Sequence, residues 1–597
     1  MSIEKLHLGL DIGSISVNTI LMDKDRNIIE DHYNFSHGKP FHVLRDVLQE
    51  LVKRHGEEKI GVVAITGSGG KVATELIGGH FVNEIIAHSS SVAEMYPHAR
   101  SVIEMGGEDS KLILMDNKKV THKSQLSDFT MNTLCAAGTG SFLDQQATRI
   151  GVSIENEFGE LSLKSEKPPH IAGRCSVFAK SDMIHLQQIA TPVHDIVAGL
   201  CYAVARNFKS NMAKGKELEK PIVFQGGVAA NVGVIRAFKD IFDIDEDLII
   251  PEHHASMGAI GAVFYALDNL QDEEAPFQGF NKLYSYLVNE RKTTAHLEPL
   301  KISDAEYFTD VVFKPNGNEK LDVYLGIDVG SLSTNVVLID DENNVVARRY
   351  IPTASKPIDA IKRGMSEIDE EIGDKVNVKG VGTTGSGRYL TGDFIGADTI
   401  QNEITAQATA AIAYDPTVDT IIEIGGQDSK YISIENGVVV DFEMNKVCAA
   451  GTGSFLEEQA EKLDINIKEE FGELALSSQE PARLGDRCTV FMESDLNSQQ
   501  QKGTSKESLV AGLAYSIVHN YLHMVVGDKK IGDKVFFQGG VTNNRAVVAA
   551  FEQVLGKKII VPPHFDVTGA IGVAIIARNV INEKSVSEVK LENTPKS

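Results

Sequence analysis

The sequence predicts an α/β protein built from two tandem copies of one domain, and three observations support that prediction. Apolar runs such as LGLDIG, VVAITGSG and SVIEMGG end in glycine-rich turns, which is typical of buried strands. Between them, segments such as FLDQQATRI and LAYSIVHNYLHMV space their apolar residues as helices do. The motifs of the first half recur in the second half in the same order. A repeat this long is a complete domain and not a solenoid unit.

The repeated segments extend over most of the chain. The repeated pairs include LGLDIGSISVNTILMD at 8–23 with LGIDVGSLSTNVVLID at 325–340, EMGGEDSK at 104–111 with EIGGQDSK at 423–430, and VFQGGVAAN at 223–231 with FFQGGVTNN at 536–544. A stretch without a second copy, rich in charge, proline and glycine, indicates a connector packed on the surface. We therefore predict a first domain at 1–270, the connector at 271–320, a second domain at 321–582 and a tail at 583–597.

Composition limits the classes of partner and of compartment. The 597 residues carry a formal net charge of −25, which argues against nucleic acid and anionic membranes as partners. The N-terminal MSIEKLHLGLDIGS has no secretory pattern, and no uninterrupted apolar run is long enough to span a membrane, so we expect a cytoplasmic protein. Five cysteines in a chain of this kind predict metal or redox chemistry more than a disulfide framework.

The first repeated turn is the predicted start of a nucleotide site. Asp11 and Asp328 each end an apolar strand, and we predict them to be catalytic residues that hold Mg²⁺ through water. Glycine after the acid lets backbone N–H groups approach phosphate oxygens, and the hydroxyls that follow add donors. The residues assigned to this role are Gly13, Ser14, Ser16, Gly330, Ser331 and Ser333. Taken alone, such a turn is weak evidence, because the same residue types favour ordinary turns.

Two further glycine-rich turns complete the predicted site. The second combines a double glycine with an acid, Asp109 or Asp428, which suits a triphosphate held between two hairpins beside an attacking water. The third offers a flat backbone for adenine or ribose. The glycines of these two turns are Gly106, Gly107, Gly226, Gly227, Gly425, Gly426, Gly539 and Gly540. Three such turns in this order resemble the actin, Hsp70 and sugar-kinase superfamily, which implies that each copy consists of two ribonuclease-H-like subdomains closing on ATP.

The two copies differ beside the second acid. Glu108 of the first copy stands where the second copy has Gln427. A glutamine there can orient the attacking water, whereas a glutamate can act as a base or repel phosphate. We therefore predict that the two sites hydrolyse ATP at different rates. The alternative is that this side chain only faces solvent.

Four of the five cysteines form two copies of one arrangement. Cys135 and Cys175 lie forty residues apart, as do Cys448 and Cys488, within matching CAAGTGSFL and RC(S/T)VF segments. If the copies face each other across a pseudo-twofold axis, four thiolates meet at one point, which is the ligand set of a [4Fe–4S] cluster or of a structural zinc ion. Zinc sites typically use closely spaced cysteine pairs, which this sequence lacks. Cys201, which the second copy replaces by alanine, is interpreted as an inert buried thiol.

The cysteine segments, together with the phosphate and adenosine motifs around them, resemble the activator ATPases of 2-hydroxyacyl-CoA dehydratases and the ATPase subunits of benzoyl-CoA reductases. The resemblance covers both copies. Members of that family are usually homodimers that hold one [4Fe–4S] cluster between two subunits. It therefore implies that Cys135, Cys175, Cys448 and Cys488 are the ligands here, and that the fused chain is a pseudo-twofold intramolecular dimer.

The resemblance also implies an activity. ATP hydrolysis would drive the transfer of one low-potential electron to a partner iron–sulfur enzyme, either a dehydratase-like protein or a double-cubane-cluster protein. Ferredoxin or flavodoxin is the implied electron donor. The alternative is a small-molecule kinase of the same fold, which has no use for four paired cysteines.

Overall fold

The computed structural model describes the chain except residues 1–4, 37, 118–123, 133–134, 174, 271–274, 291–295, 302–304, 316–318, 355, 446–447, 487 and 593–597. The chain divides into two compact units. The first consists of Met1–Ala295 together with Arg487–Gly503, and the second of His296–Asp486 together with Thr504–Ser597. The first boundary falls inside the stretch predicted as the connector. Arg487–Gly503 is part of the second copy by sequence, yet it belongs to the first unit.

The first unit contains two sheets of the same design. Its elements are β1 (Leu6–Ile12), β2 (Ser16–Met22), β3 (Ile28–Phe35), α1 (Pro40–His55), β4 (Ile60–Thr66), α2 (Gly70–Ile77), β5 (His80–Phe81), α3 (Glu84–Met95), β6 (Ser101–Met105), β7 (Ser110–Asn117), β8 (Ser124–Asn132), α4 (Gly140–Ile150), α5 (Gly159–Leu163), α6 (Ser176–Gln188), α7 (Val193–Asn211), β9 (Ile222–Gln225), α8 (Val232–Phe242), β10 (Leu248–Ile249), α9 (Met257–Asn269) and α10 (Asn281–Glu290). The strand orders are β3-β2-β1-β4-β5 and β8-β7-β6-β9-β10. In each sheet, three antiparallel strands are followed by two parallel ones.

A helix pair connects the two sheets of the first unit. Val62 of β4 and Val102 of β6 belong to one continuous buried core with Ile260 of α9. Helices α3 and α9 touch so closely that a Cβ at Gly261 would overlap the carbonyl oxygen of Ala87. Only glycine fits at that crossing, because any side chain would push the helices apart.

The second unit repeats this design. Its elements, with one helix that packs in the first unit, are β11 (Glu306–Tyr307), β12 (Leu321–Val329), β13 (Ser333–Ile339), β14 (Val345–Pro352), α11 (Pro357–Ile372), β15 (Val376–Thr384), α12 (Arg388–Ile395), β16 (Thr399–Ile400), α13 (Glu403–Tyr414), β17 (Thr420–Ile424), β18 (Ser429–Glu435), β19 (Val438–Asn445), α14 (Gly453–Lys462), α15 (Phe471–Ser477), α16 (Thr489–Gln501), α17 (Lys506–Tyr521), β20 (Val535–Gln538), α18 (Arg545–Leu555), β21 (Ile559–Val561) and α19 (Thr568–Glu592). The strand orders are β14-β13-β12-β15-β16 and β19-β18-β17-β20-β21-β11. Helix α16 is the one that lies in the first unit.

The predicted fold class is confirmed: the chain is α/β, and it repeats one domain of two similar sheets. Of the predicted connector, the structure describes α10 and β11, and parts of it lie outside the described residues. Residues 583–592 of the predicted tail continue α19, whereas 593–597 lie outside the described residues.

One helical segment among the described residues, Lys506–Val526, is long and apolar enough to cross a membrane by length and composition. It consists of α17 and a π-helical turn, Leu522–Val526. In its most apolar window, 78% of the residues are buried inside the protein, which is the environment of a core helix.

Candidate functional site

In the first copy, the predicted acid Asp11 lies at the end of the central strand β1, between polar residues of both neighbouring strands. The register places it opposite Asn18 of β2 and Thr66 of β4. Loss of hydration and the carboxylate of Glu84 raise the pKa of Asp11 to about 7. A Cβ at Gly258 would overlap the Oδ2 atom of Asp11, so the start of α9 can approach this acid only as glycine.

A buried ammonium group, Lys111 of β7, is surrounded by three carboxylates. Its Nζ atom lies 2.7 Å from Asp109 Oδ2, 2.8 Å from Glu104 Oε2 and 3.0 Å from Glu84 Oε2. Burial alone would lower the pKa of Lys111, but the three carboxylates outweigh it and hold the pKa well above its usual value. Burial also raises the pKa of Glu104 to about 8, against the opposing effect of Lys111. We call these four residues the first charge cluster; they tie the second glycine turn to the start of α3.

The second copy contains the same cluster. The Nζ atom of Lys430 lies 2.8 Å from Asp428 Oδ2, 2.8 Å from Glu423 Oε2 and 3.1 Å from Glu403 Oε2. Loss of hydration and the carboxylate of Glu403 raise the pKa of Asp328 to about 7. Each copy therefore brings its two predicted acids into one buried network of charge.

The sequence patterns did not reveal the two lysines and the four glutamates of these clusters, Lys111, Lys430, Glu84, Glu104, Glu403 and Glu423. Lys111 and Glu104 stand at the two ends of the EMGGEDSK motif, and both recur in EIGGQDSK. A charged residue inside an apolar strand is most often read as the exposed face of that strand. The available signal was duplication, because both copies keep the same charges at positions where the strands are otherwise apolar.

The first two glycine turns of the first copy adjoin each other. The N–H of Gly13 donates to the carbonyl of Ser16 at 2.9 Å, which closes the first turn. A Cβ at Gly107, in the second turn, would overlap the side chain of Ile15. The second copy has the same contacts in Gly330 with Ser333 and in Gly426 with Leu332. Of the predicted hydroxyl residues, Ser14, Ser16 and Ser333 are half-buried and Ser331 is exposed.

The second turn is hydrogen-bonded to the helix that follows the first cysteine. The carbonyl of Gly106 accepts from the N–H of Gly140 at 2.9 Å, and that of Gly107 accepts from the N–H of Ser141 at 2.8 Å. These donors open α4, which begins five residues after Cys135. In the second copy the corresponding bonds join Gly425 to Gly453 at 2.9 Å and Gly426 to Ser454 at 2.8 Å. The second turn is therefore bonded directly to the helix that follows the cysteine.

The third turn requires glycine for geometric reasons. Gly226 has φ of 93°, and a Cβ there would overlap the carbonyl oxygen of Met105. The bare Cα of Gly227 faces the hydroxyl of Tyr33, 3.2 Å from where a Cβ would lie. The corresponding residues of the second copy are Gly539, Gly540 and Tyr350. Each predicted flat surface thus has an aromatic ring beside it, which sequence reasoning did not single out.

Buried polar atoms that lack a hydrogen-bond partner occur in duplicated pairs around these strand ends. Four motif positions leave such an atom in both copies, and buried polar atoms of this kind normally pair with protein groups, water or a ligand. The atoms are Asn18 and Asn335 Oδ1, Thr66 and Thr384 Oγ1, Ser110 and Ser429 Oγ, and Gln225 and Gln538 Oε1.

The two clefts differ in two places. Glu108 and its counterpart Gln427 are both half-buried in the second turn. Deeper in the first cleft, His88 Nδ1 lies 2.9 Å from Gln225 Nε2. In the second copy Gln407 replaces this histidine, and its Oε1 accepts from Gln538 Nε2 at 2.7 Å and from Thr568 Oγ1 at 2.6 Å.

The predicted metal ligands lie at the junctions between loops and helices. An asparagine closes the loop of Cys135: Asn132 Nδ2 donates to the cysteine carbonyl at 2.8 Å, and the cysteine N–H donates to Asn132 Oδ1 at 3.1 Å. Cys448 has the same two bonds to Asn445. Cys175 and Cys488 are the residues directly before α6 and α16. These N-terminal ends carry free N–H groups and partial positive charge, which favour a thiolate.

Three of the four predicted ligands, Cys135, Cys175 and Cys488, belong to the first unit, and Cys448 belongs to the second. Burial, followed by repulsion from Cys488 and Cys175, raises the pKa of Cys135 to about 12. Such mutual repulsion is what a bound cation would relieve, so the chemistry of these donors fits a thiolate-bound metal centre. As arranged here, no three His, Cys, Asp or Glu side chains among the described residues are grouped closely enough to hold a metal ion.

Helix α16 is fixed to the first unit by apolar and polar contacts. Cys488, Val490 and Phe491 share a small buried cluster with Ala136. The side-chain amide of Gln145 in α4 donates to the carboxylate of Glu493. The residue that follows Cys135 is therefore packed against Cys488.

The fifth cysteine, Cys201, is buried in α7 within the core of the second sheet. Burial raises the pKa of its thiol to about 12, which keeps it protonated and unreactive.

Comparison with known proteins gives one family match. The sequence profile of the BadF/BadG/BcrA/BcrD ATPase family matches residues 8–266 and again 325–577. Among curated relatives, the 2-hydroxyisocaproyl-CoA dehydratase activator of Clostridioides difficile is 33% identical over 270 residues, which are 45% of this chain and 97% of the relative. The (R)-2-hydroxyglutaryl-CoA dehydratase activating ATPase of Acidaminococcus fermentans is 34% identical over 254 residues, 42% of this chain and 96% of the relative.

One solved structure matches part of the chain. The activator of the 2-hydroxyisocaproyl-CoA dehydratase from Clostridium difficile, solved with bound ADPNP, is 29% identical. The match covers 46% of this chain and 99% of that chain, with a TM-score of 0.40. These relatives are matched over nearly their whole length by less than half of this chain.

Proposed function

The chain belongs to the BadF/BadG/BcrA/BcrD ATPase family, and we propose that it is a cytoplasmic activator that hydrolyses ATP in two clefts and thereby drives one-electron transfer to a partner iron–sulfur enzyme. Family membership makes the chain an activator-type ATPase. We add three proposals to this family membership: that the chain transfers electrons, that it binds an iron–sulfur cluster, and that its partner is an iron–sulfur enzyme.

The observation that carries the proposal is the backbone connection between the second glycine turn and the first turn of α4. The carbonyls of Gly106 and Gly107 are held by the N–H groups of Gly140 and Ser141, just beyond the loop of Cys135. Both copies have this connection. A nucleotide that draws the two glycine turns together therefore acts on the segment that bears the cysteine. A kinase needs no connection between its nucleotide turns and a cysteine segment, because in a kinase nucleotide binding would act on the pocket for the phosphate acceptor.

In this proposal the nucleotide is held by the chain's own turns. Backbone N–H groups around Gly13 and Gly106 donate to phosphate oxygens, and the carboxylates of Asp11 and Asp109 hold Mg²⁺ through water. The flat backbone at Gly226 and Gly227 lies against the base or the ribose. The second copy supplies the equivalent residues Gly330, Gly425, Asp328, Asp428, Gly539 and Gly540.

The attacking water is positioned differently in the two clefts. Gln427 can accept one hydrogen of the water and donate to its oxygen, whereas Glu108 carries negative charge toward the phosphate. We therefore propose that the second cleft hydrolyses ATP faster. Lys111 and Lys430, with the buried glutamates beside them, hold the acids in place and do not take part in bond breaking.

The cysteines of the proposed cluster are Cys135, Cys175, Cys448 and Cys488. A [4Fe–4S] cluster bound by them supplies one-electron storage at low potential. The chain's part is to bind it through thiolates at helix N-termini, to limit its contact with water, and to change those surroundings when ATP binds. The proposed acceptor is a dehydratase-like or double-cubane-cluster protein, and the proposed donor is ferredoxin or flavodoxin.

Cysteine-to-serine variants test this function directly. We expect Cys135→Ser, purified without oxygen, to lose iron while its ATP hydrolysis remains measurable. The matched control Cys201→Ser should keep both, because Cys201 lies in the core of α7. ATP turnover that requires an added phosphate acceptor would point to a kinase instead. Unchanged iron content in Cys135→Ser would remove the proposed cluster.

A further inference from the structure

Among the residues that the structure describes, the first copy covers a helix face that the second copy leaves exposed. In the first unit α10, a helix of the connector, packs on α1 and α2, the two helices on the outside of the first sheet. Leu283 is fully buried and Leu287 nearly so in the core under these helices. The ring of Tyr286 meets the ring of Phe41 in α1 edge-on, with the centroids 5.2 Å apart. The connector thus supplies a short amphipathic helix as a lid for this face.

The segment before α10 extends the same cover. A Cβ at Gly78, the residue that ends α2, would lie 2.6 Å from the carbonyl oxygen of Pro276. The N–H of Gly79 donates to that same oxygen at 3.0 Å. In the second copy a Cβ at the equivalent Gly396 meets nothing within 4 Å.

The equivalent face of the second copy, on α11 and α12, is apolar and exposed. Leu48 of α1 is fully buried, whereas its counterpart Met365 of α11 is 37% exposed. On α12, Phe394 is 45% exposed, whereas its counterpart Leu76 is half-buried. Tyr389, 64% exposed, and Leu390, 54% exposed, extend the apolar surface beyond the covered area, because their counterparts Lys71 and Val72 are exposed as well. We call these four side chains of the second copy the bare face. Apolar side chains gathered in this way on one surface are typical of an interaction site.

Two cations lie on the bare face. The Nζ atom of Lys362 lies 5.6 Å from the centroid of the Phe394 ring, and the Cζ atom of Arg388 lies 4.8 Å from that of Tyr389. In a chain with a net charge of −25, these two cations beside exposed aromatic rings offer partners for carboxylates. An occupant of this face would therefore combine an apolar stripe with carboxylates beside it.

We propose that the bare face is a docking site for an amphipathic helix of another protein, one with a stripe of leucine and aromatic residues flanked by acidic side chains. The same two-helix surface exists twice, and where it is covered, the occupant is a short helix with leucines and aromatic rings. The connector supplies that helix only to the first copy. This proposal does not depend on electron transfer, and it holds whether or not the cysteines bind a cluster.

Helix recognition of this kind places apolar side chains at i, i+3, i+4 and i+7 into a groove. The sequence of α10 and its lead-in, residues 276–290, is a probe with this pattern. We would label that synthetic peptide with a fluorophore and titrate it with the full-length protein, following anisotropy. A second peptide, in which Lys282 is replaced by glutamate, tests the role of Lys362 and Arg388.

We expect saturable binding, tighter for the acidic peptide and weakened by salt. The double variant Leu390→Ser with Phe394→Ser should bind the peptide at least tenfold more weakly while its basal ATP hydrolysis is unchanged. The matched control Val72→Ser changes the residue of the first copy that corresponds to Leu390 and should leave peptide binding as in the unchanged protein.

Three results would overturn the proposal. One is the absence of peptide binding, and another is equal binding by the double variant. The third is a dimer in sedimentation velocity that dissociates in the double variant, because the occupant would then be a second copy of this chain.

Discussion

Replacing Lys111 with methionine removes the positive charge from the first charge cluster and keeps most of the side-chain stem. The carboxylates of Glu84, Glu104 and Asp109, which lie within 3.0 Å of the ammonium group in the unchanged protein, then have no cation between them. Removing one partner from a buried ionic network typically costs about 3–5 kcal/mol, because charge remains without compensation. We expect a loss of this size in the free energy of unfolding of the first unit at pH 7.

The loss of stability in Lys111→Met should increase as pH rises. The pKa of Glu104 is already raised to about 8 in the folded protein, and without Lys111 it rises further. A carboxyl group with a raised folded pKa stabilises the fold fully below its unfolded pKa, and that contribution is lost as pH rises through the folded value. The loss in the free energy of unfolding of Lys111→Met should therefore be largest above pH 8 and smallest near pH 4.5, where the carboxyl group is also protonated in the unfolded chain.

Urea unfolding followed by circular dichroism, with hydrogen exchange of peptides from β6 and β7, measures this loss. Hydrogen exchange is needed because a chain with two units need not unfold in one step. Lys529→Met is the matched control, since Lys529 pairs with Asp441 at 2.7 Å on the surface and its loss should leave stability unchanged. Wild-type stability of Lys111→Met at pH 7, or a penalty that grows toward acid pH, would refute this reasoning.

Three further predictions concern the nucleotide clefts. Gly140→Val should weaken the effect of ATP on the cysteine site without loss of iron. The reason is that a Cβ at this position lies 3.1 Å from the carbonyl oxygen of Gly106, so the valine disturbs the bond between the second turn and α4. Visible spectra recorded with and without ATP measure this effect. In the Asp328→Asn variant only the first cleft hydrolyses ATP. Its rate should fall as pH drops through about 7, because Asp11 is then protonated and loses the charge that holds Mg²⁺. The pH profile of initial rates of ATP hydrolysis measures this. Glu108→Gln should raise the turnover of the first cleft several-fold toward that of the second, measured in the Asp328→Asn background.

Each of these three predictions has an outcome that would contradict it. An unchanged ATP response in Gly140→Val would mean that the second turn does not act on α4. A flat pH profile between 6 and 8 would mean that Asp11 is not required in its ionised form. Equal turnover and equal ATP affinity in Glu108→Gln would mean that this side chain only faces solvent.

Much of the fold was predictable because the chain repeats itself. The turns at Gly13, Gly106 and Gly226 were found from glycine-ended apolar strands, and duplication distinguished them from chance turns. The structure brings the first two turns together and gives the third a conformation, φ of 93° at Gly226, that only glycine adopts easily.

The rest of the site depends on contacts between distant segments, which a local pattern does not encode. Lys111 is buried only because α3 and the second turn supply carboxylates from three places in the chain. The location of α16 in the first unit is likewise a matter of tertiary packing, carried by Val490 and Phe491 beside Ala136. The burial of α10 could not be inferred either, because its apolar stripe alone does not say which surface it covers.

One anaerobic experiment asks whether ATP binding acts on a four-cysteine iron–sulfur site. Protein purified without oxygen would be assayed for iron and sulfide per chain, and its spectrum recorded after reduction with and without ATP. We expect about four irons per chain, as in one [4Fe–4S] cluster, together with a spectrum of the reduced protein that changes when ATP is added. Iron-free protein that cannot be reconstituted, or a cluster whose spectrum is indifferent to ATP, would contradict it.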